Sequence, residues 1–435
     1  MQQDSASTTA WGRMTRRGML ALAGTTLLAG CNGLAELGNG AEPTIRAYDL
    51  PDIDPDEDRQ PVVSESVPVE IAPDHFDAAR NRVATLLAEL PTPLGPEDIP
   101  NGHIRERLSD AASNATTELN DARDAPTELT ALSSIQRARS EARYAAAGWA
   151  VANRGLSVEP FQREHRQAVS DARSVRDDYE YVGSDPVRAA LVHSRIEDLL
   201  ARVIDGQTPR AEENFLLHVA EWGETAESAR AHLDDARHLD EQFTASLSAE
   251  AGTIKERITE AAETLLADVR SRSSELPPEP TAEEWDLPDR VIGDLRQDAD
   301  YGISRIDDAN GPASAVIDAN RRLTQFRALD RLQQRIDDGE LSRPESAEAV
   351  REIRSTAYDA IAAALAEGPA PELTRTVVTS AAWRVANADW GLARHEGEVA
   401  VSHLDPSVVD YVIATAIARE ASAVSRQTVE ILENT

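Results

Sequence analysis

The chain has 435 residues, 77 carboxylates against 44 Lys and Arg, a formal net charge of −33 and one cysteine, Cys31. This balance leaves no basic stripe for a phosphate backbone, so nucleic acid is not an expected partner. One cysteine excludes an intrachain disulfide and a thiolate metal cage. The roughly 400 residues beyond the leader suffice for two or three folding units.

The first element is the apolar run Met19–Ala29, behind Arg13, Arg16 and Arg17. A bilayer span needs about twenty apolar residues, so residues 1–30 read as a signal peptide. Arg16-Arg17 before Gly18-Met19-Leu20 resembles the twin-arginine (Tat) export signal. Leu28, Ala29 and Gly30 before Cys31 resemble a lipobox, in which the cysteine is lipidated and becomes the first mature residue. Met14 is an alternative start. The resemblance implies a lipoprotein on the outer face of the cytoplasmic membrane, held from outside by lipid at about 0.8 kcal/mol per buried CH₂. The membrane is then a partner through Cys31 alone. The longest later apolar run, Val408–Ala418, is interrupted by Asp410 and Tyr411 and is too short to span.

Residues 31–72 carry Pro43, Pro51, Pro55, Pro61 and Pro68 among many carboxylates. Such a segment buries too little apolar area to offset its ordering entropy. It is expected to be a disordered acidic tether with loosely bound cations. Within it Asp54, Asp56, Asp58 and Glu65 have the spacing of a calcium loop, but Arg59 stands where that loop needs glycine, and Pro61 follows. The run reads as a chance cluster.

From Pro73 onward the apolar spacing is helical, punctuated by Pro and Gly, and strand signals are nearly absent. Asp185-Pro186 and Thr208-Pro209 pair a cap with a first-turn proline. The proline-free stretch Arg210–Leu276 carries a stripe through Trp222, Ala226, Ala229, Leu233, Ala236, Phe243, Leu247, Ile254, Ile258, Ala261, Leu265 and Val269. It predicts one long coiled-coil-like helix or two nearly collinear ones, with Gly223 and Gly252 as candidate breaks. The fold expected is all-α: elongated, duplicated helical bundles, the first over 73–276 with the long helix, the second over 281–435. Two internal echoes bear on duplication: residues 98–126 against 286–312, and 149–153 against 383–387. Their offsets differ, so one simple duplication does not give both. Composition alone also makes acidic, Ala-rich helices look alike.

His218 and Glu221 share a helix face and form the best metal-like pair, suited to a transition metal. A His-x-x-Glu in an exported, duplicated helical protein resembles the imelysin family, whose motif is Gly-x-His-x-x-Glu and which is linked to iron uptake. Here Leu216 replaces the glycine. The plain alternative places His218 on a helix flank beside an exposed Glu221. The Glu-x-x-His pair of di-iron bundles does not occur. His193 with Glu197, and Asp235 with His238, read as surface pairs. Asn114-Ala115-Thr116 is a glycosylation sequon inside a predicted helix. Trp149, Trp222, Trp383 and Trp390 read as core or bundle-interface anchors, or else as the lining of a ligand groove.

Lys255 is the only lysine among the 44 basic residues. Acid excess with so little lysine resembles the proteins of extreme halophiles, here a Tat-exported lipoprotein of halophilic archaea. At 1 M salt the screening length is about 3 Å and carboxylate repulsion is quenched; an acidic face for a basic partner is the alternative. The functional expectation is a non-enzymatic surface protein without a cofactor, presenting helical faces to an unidentified protein partner. The alternatives are an imelysin-like metal-uptake protein using His218 and Glu221, or an extracytoplasmic solute-binding component.

Overall fold

Helices start where a side-chain oxygen can take the first unpaired backbone N–H groups. Asp185 Oδ1 accepts from Val187 and Arg188 N at 2.9 and 3.0 Å. Asn214 Oδ1 accepts from Leu216 and Leu217 N at 3.0 and 3.2 Å. The computed structural model describes residues 42–53, 62–91, 93–210, 214–282, 284–306, 309–366 and 370–435. Arg16, Arg17, Leu28, Ala29, Gly30 and Cys31 lie outside these, as do Asp54, Asp56 and Asp58.

The described chain is all-α. Its helices are α1 (Pro73–Leu87), α2 (Gly102–Asp121), α3 (Glu128–Arg154), α4 (Glu159–Asp177), α5 (Pro186–Ile204), α6 (Phe215–Ser246), α7 (Lys255–Ser273), α8 (Leu287–Ile306), α9 (Pro312–Asp337), α10 (Ala347–Ala366), α11 (Pro371–Ala393) and α12 (Asp405–Asn434). The strands are short. β1 (Thr44–Arg46) pairs antiparallel with β4 (Glu398–Ala400), and β2 (Val182–Gly183) with β3 (Gly252–Thr253). No described helix is long and apolar enough to cross a membrane.

The pairing of helices repeats. In the first half α3 packs on α1, α2 and α6, while α6 also packs on α4 and α5, and α4 on α5. In the second half α9 packs on α7, α8 and α12, while α12 also packs on α10 and α11, and α10 on α11. Replacing α1–α6 by α7–α12 in order reproduces each of these pairs, and the second half adds α12 on α7 and α8 and α11 on α9. The first residues correspond at near-constant spacing: Pro73 with Lys255, Gly102 with Leu287, Glu128 with Pro312, Glu159 with Ala347, Pro186 with Pro371, Phe215 with Asp405. The echo of 98–126 in 286–312 aligns α2 with its counterpart α8. The echo of 149–153 in 383–387 joins α3 to α11, which are not counterparts, and is compositional.

Four expectations are corrected. The proline-free stretch is two helices, as one of the two alternatives had it, with Gly252 of β3 in the break at 247–254; what changes is that α7 belongs to the second half rather than to a bundle ending at 276. Its stripe Ile258, Ala261, Leu265 and Val269 packs with Val316, Leu323 and Phe326 of α9 and Val424 and Leu432 of α12. Gly223 breaks nothing. It lies inside α6, where an added Cβ would stand 2.5 Å from Ala147 Cβ of α3, so glycine sets that close approach. Thr208-Pro209 starts no helix; α6 begins after Asn214.

The fourth correction concerns the segment expected to be a free tether, which is docked wherever it is described. Ile45, Leu50, Ile53 and Val63 join the core made by α8–α12, and Val69 and Ile71 join that of the first half. Ala47 N donates to Gly397 O at 2.8 Å and Val401 N to Pro43 O at 3.0 Å. Burying these isolated β-branched and leucine side chains, about 1.5–3 kcal/mol each, offsets the ordering entropy that the composition alone left uncovered.

The halves meet through α5, which packs on α9. Glu197 of α5 is buried and accepts from Ala313 and Ser314 N at 3.1 and 2.6 Å, at the N-terminus of α9. Gly311 permits this: a Cβ there would fall 2.3 Å from the Glu197 carboxylate.

Candidate functional site

α3 carries two stripes at helical spacing. Leu132, Ile135, Ala138 and Ala142 are buried apolar positions. Ser133, Gln136, Arg137, Ser140 and Glu141 form a second, polar stripe, which lines a cleft of about 640 Å³. α2 contributes Asn114, Thr117 and Glu118; α5 contributes Arg195 and Arg202; α6 contributes Glu224, Ser228 and His232, each one turn from the next; and Glu65 comes from the docked N-terminal segment. Smaller clefts share these walls. One of about 340 Å³ shares Arg202, Glu224 and Ser228 and adds His165 and Glu221. One of about 550 Å³ shares Glu65, Glu118 and Arg137 and ends at Trp383 of α11. One of about 110 Å³ shares Glu65 and Arg195 and reaches Arg321 and Arg375 of the second half.

Arg137 is satisfied, donating to Glu118 Oε1 at 2.8 Å and Ser134 Oγ at 3.0 Å. Arg195 is not. Its Nε is sealed from solvent without a hydrogen-bond partner, and no described carboxylate pairs with it. Burial pushes its guanidinium down, partly countered by the more distant charges of Glu65, Asp198 and Asp235. On the facing helices the carboxylates are also strained electrostatically. Burial raises Glu141, with a hydrogen bond from Asn114 holding it back. Burial, then the charges of Glu141 and Glu221, push Glu224 up to about 6. Burial also lowers His232, whose Nδ1–H donates to Ser228 O at 2.8 Å.

The Glu224 shift has a measurable sign. Between 4.5 and about 6 the folded chain binds more protons than the unfolded one, so stability falls as pH rises through that window. The full fall attributable to this group is about 2 kcal/mol. Glu224→Gln is expected to remove it. Denaturation of both proteins at pH 4.5 and 7 checks this: an equal loss in the two would show that Glu224 is not the group responsible.

His218 and Glu221 stand one turn apart on α6, as their spacing requires. His218 Nδ1 is buried without a hydrogen-bond partner, and Glu221 lines the smaller cleft. Among the described residues no group of three or more His, Cys, Asp or Glu is arranged to hold a metal ion. Asn114 is exposed on α2 at the rim of the main cleft. The two expected surface pairs are instead interior. His193 accepts from Tyr179 OH at Nδ1 (2.6 Å) and donates from Nε2 to Val182 O (2.9 Å), while Glu197 accepts from Tyr181 OH at 2.7 Å. Asp235 Oδ1 lies 2.6 Å from His75 Nε2, and its other oxygen accepts from Gln136. His238 accepts from Ala72 N at 3.1 Å and stacks on His75 with centroids 4.1 Å apart. Trp149 and Trp222 pack against buried clusters, whereas Trp383 and Trp390 are 51% and 45% exposed and anchor no core.

The cleft, missed in the sequence, has no motif; its signal is an inward polar stripe on α3 that looks like a solvated face. No curated protein and no solved structure matches the chain. Residues 74–250 match the family model described as Domain of unknown function (DUF8262), and residues 255–430 match Domain of unknown function (DUF8264), so the two models divide the chain at the break between α6 and α7.

Proposed function

We propose that this chain is a non-catalytic, lipid-anchored extracytoplasmic binding protein whose first helical half holds a small polar solute between α3, α5 and α6. The observation that supports the reading is the cleft itself. Its volume, about 640 Å³, falls in the range of small-molecule sites. Its walls are charged and hydroxylic, with Arg195, Arg202, Glu65, Glu141, Glu224, Ser140 and Ser228 among them. Anchoring through Cys31 places such a cleft where it meets external solutes.

Filling the cleft tests this. Ser140→Trp points bulk into open volume, so the variant is expected to fold. Native mass spectrometry of the chain isolated with its small molecules should show a retained mass in the parent and at least a tenfold loss in Ser140→Trp. Equal retention would remove the cleft as the binding site. A second reading, a scaffold for a protein partner, is favoured by Trp383 and Trp390. They lie seven residues apart on one face of α11 and are both about half exposed.

A further inference from the structure

We propose that the solute is a small zwitterion, its carboxylate seated on Arg195 and its ammonium group facing Glu224 and Glu141; the inference rests on the solute-binding reading above. The first support is the unmatched guanidinium. Several other arginines of the interior are paired with carboxylates. Arg139 meets Glu227 at 2.9 Å, Arg354 meets Asp389 at 2.7 Å, and Arg384 meets Asp410 at 2.6 Å. Arg195 has none, lines two clefts at once, and holds a sealed, unpartnered Nε. A sealed donor left without an acceptor is unfavourable. Its planar fork matches a carboxylate in two parallel hydrogen bonds.

The second support comes from the other helices. Glu224 lines the same cleft, has no hydrogen bond from a described residue, and stands in the field of Glu141 and Glu221, which the charge of Arg107 offsets only in part. An ammonium group there relieves the mutual repulsion. Arg195 on α5 and the carboxylates on α3 and α6 thus face one cavity without neutralising each other. A purely anionic ligand is repelled by the glutamates, and a purely cationic one by Arg195 and Arg202. A ligand bearing both charges satisfies both walls, with Ser140 and Ser228 supplying hydroxyls.

The test is calorimetric titration of the full-length chain with 3-aminopropanoate, 4-aminobutanoate and 6-aminohexanoate, against propanoate and propylamine as single-charge controls. At least one amino acid is expected to bind tenfold more tightly than either control, and the best spacer length reads out the separation of the two walls. Arg195→Met and Glu224→Gln should each weaken that probe at least tenfold. Because Arg195 is unpaired, Arg195→Met should also unfold at an equal or higher denaturant concentration than the parent; a lower midpoint would assign the arginine to structure and overturn the proposal. Binding of propanoate as tight as that of every amino acid would mark a simple anion site, and equal binding of propylamine a simple cation site. Either overturns the zwitterion, yet leaves the solute-binding reading standing if Ser140→Trp blocks the probe. No binding by any probe overturns the zwitterion. If Ser140→Trp also retains the parent's small molecules, the solute-binding reading falls too.

Discussion

Asp389→Asn is expected to lower the unfolding free energy by about 3–5 kcal/mol. Asp389 is 1% exposed and accepts from Arg354 through Nε at 2.7 Å and Nη2 at 2.9 Å, and from the hydroxyls of Tyr358 and Tyr411. The residue joins α10, α11 and α12 at one point. Burial pushes the Tyr411 phenol up, and Asp389 adds to it, so Tyr411 stays a hydrogen-bond donor. Burial works against the Arg354 charge, but Asp389 outweighs it and raises the guanidinium. The amide leaves that guanidinium without a counter-charge. Tyr411→Phe removes one donor and leaves the ion pair, so it should cost only about 1 kcal/mol. Chemical denaturation in high salt compares the two. Equal effects would mean that the phenol, not the charge pair, holds these helices.

Glu227→Gln should be of similar size, about 3–5 kcal/mol. The Glu227 side chain is 1% exposed and bridges α1 to α3: Arg82 reaches it at 2.6 Å and Arg139, itself 6% exposed, at 2.9 Å. Without the charge, Arg139 keeps only the partly exposed Asp234 at 3.3 Å. Burial alone would raise the Glu227 carboxyl, but Arg82 and Arg139 prevail and hold it below the ordinary glutamate value. A depressed carboxylate gives stability that is complete above its unfolded value and is lost as pH falls through the folded one. The parent should therefore lose stability below about pH 4.5 more steeply than Glu227→Gln. Parallel acid curves would show that the two arginines do not hold this proton off.

Much of the helical frame is written locally. The Asp185-Pro186 start of α5 is legible because capping needs only neighbours. The docked segment is not, because Ile45, Leu50, Ile53 and Val63 follow no period; an irregular chain buries single side chains where its partner happens to have holes. The cleft escapes for the opposite reason. Ser133, Gln136, Ser140 and Glu141 do follow the helix period, and a periodic polar stripe normally faces water. Asp389 with Arg354 and Glu227 with Arg139 join residues far apart in sequence, which no window along the chain contains.

The duplicated pairing pattern sharpens the contrast between the halves. In the second, α11 and α12 close over Val377, Val378, Ala381, Val385, Val408, Val412 and Ile413 as one continuous apolar cluster. In the first, the apolar clusters are smaller, and α2, α3, α5 and α6 also line the charged cleft. One architecture thus carries a large apolar cluster in one half and a charged cleft in the other.

The clasp of β1 on β4 bears on the order in which the molecule is made. Thr44 and Ile45 leave the ribosome early, yet their partners Ala400 and Val399 come nearly last. Arg351 Nη2, which holds Asp49 O at 2.9 Å, is also late. The contacts of α1–α6 with one another can form as soon as α6 has emerged, whereas residues 43–53 must wait, unpaired, through almost the whole of synthesis. A segment that is made early is seated late, and contacts of such sequence separation form slowly. A chain cut short before residue 400 would carry a complete first half and an exposed strand with nothing to pair with.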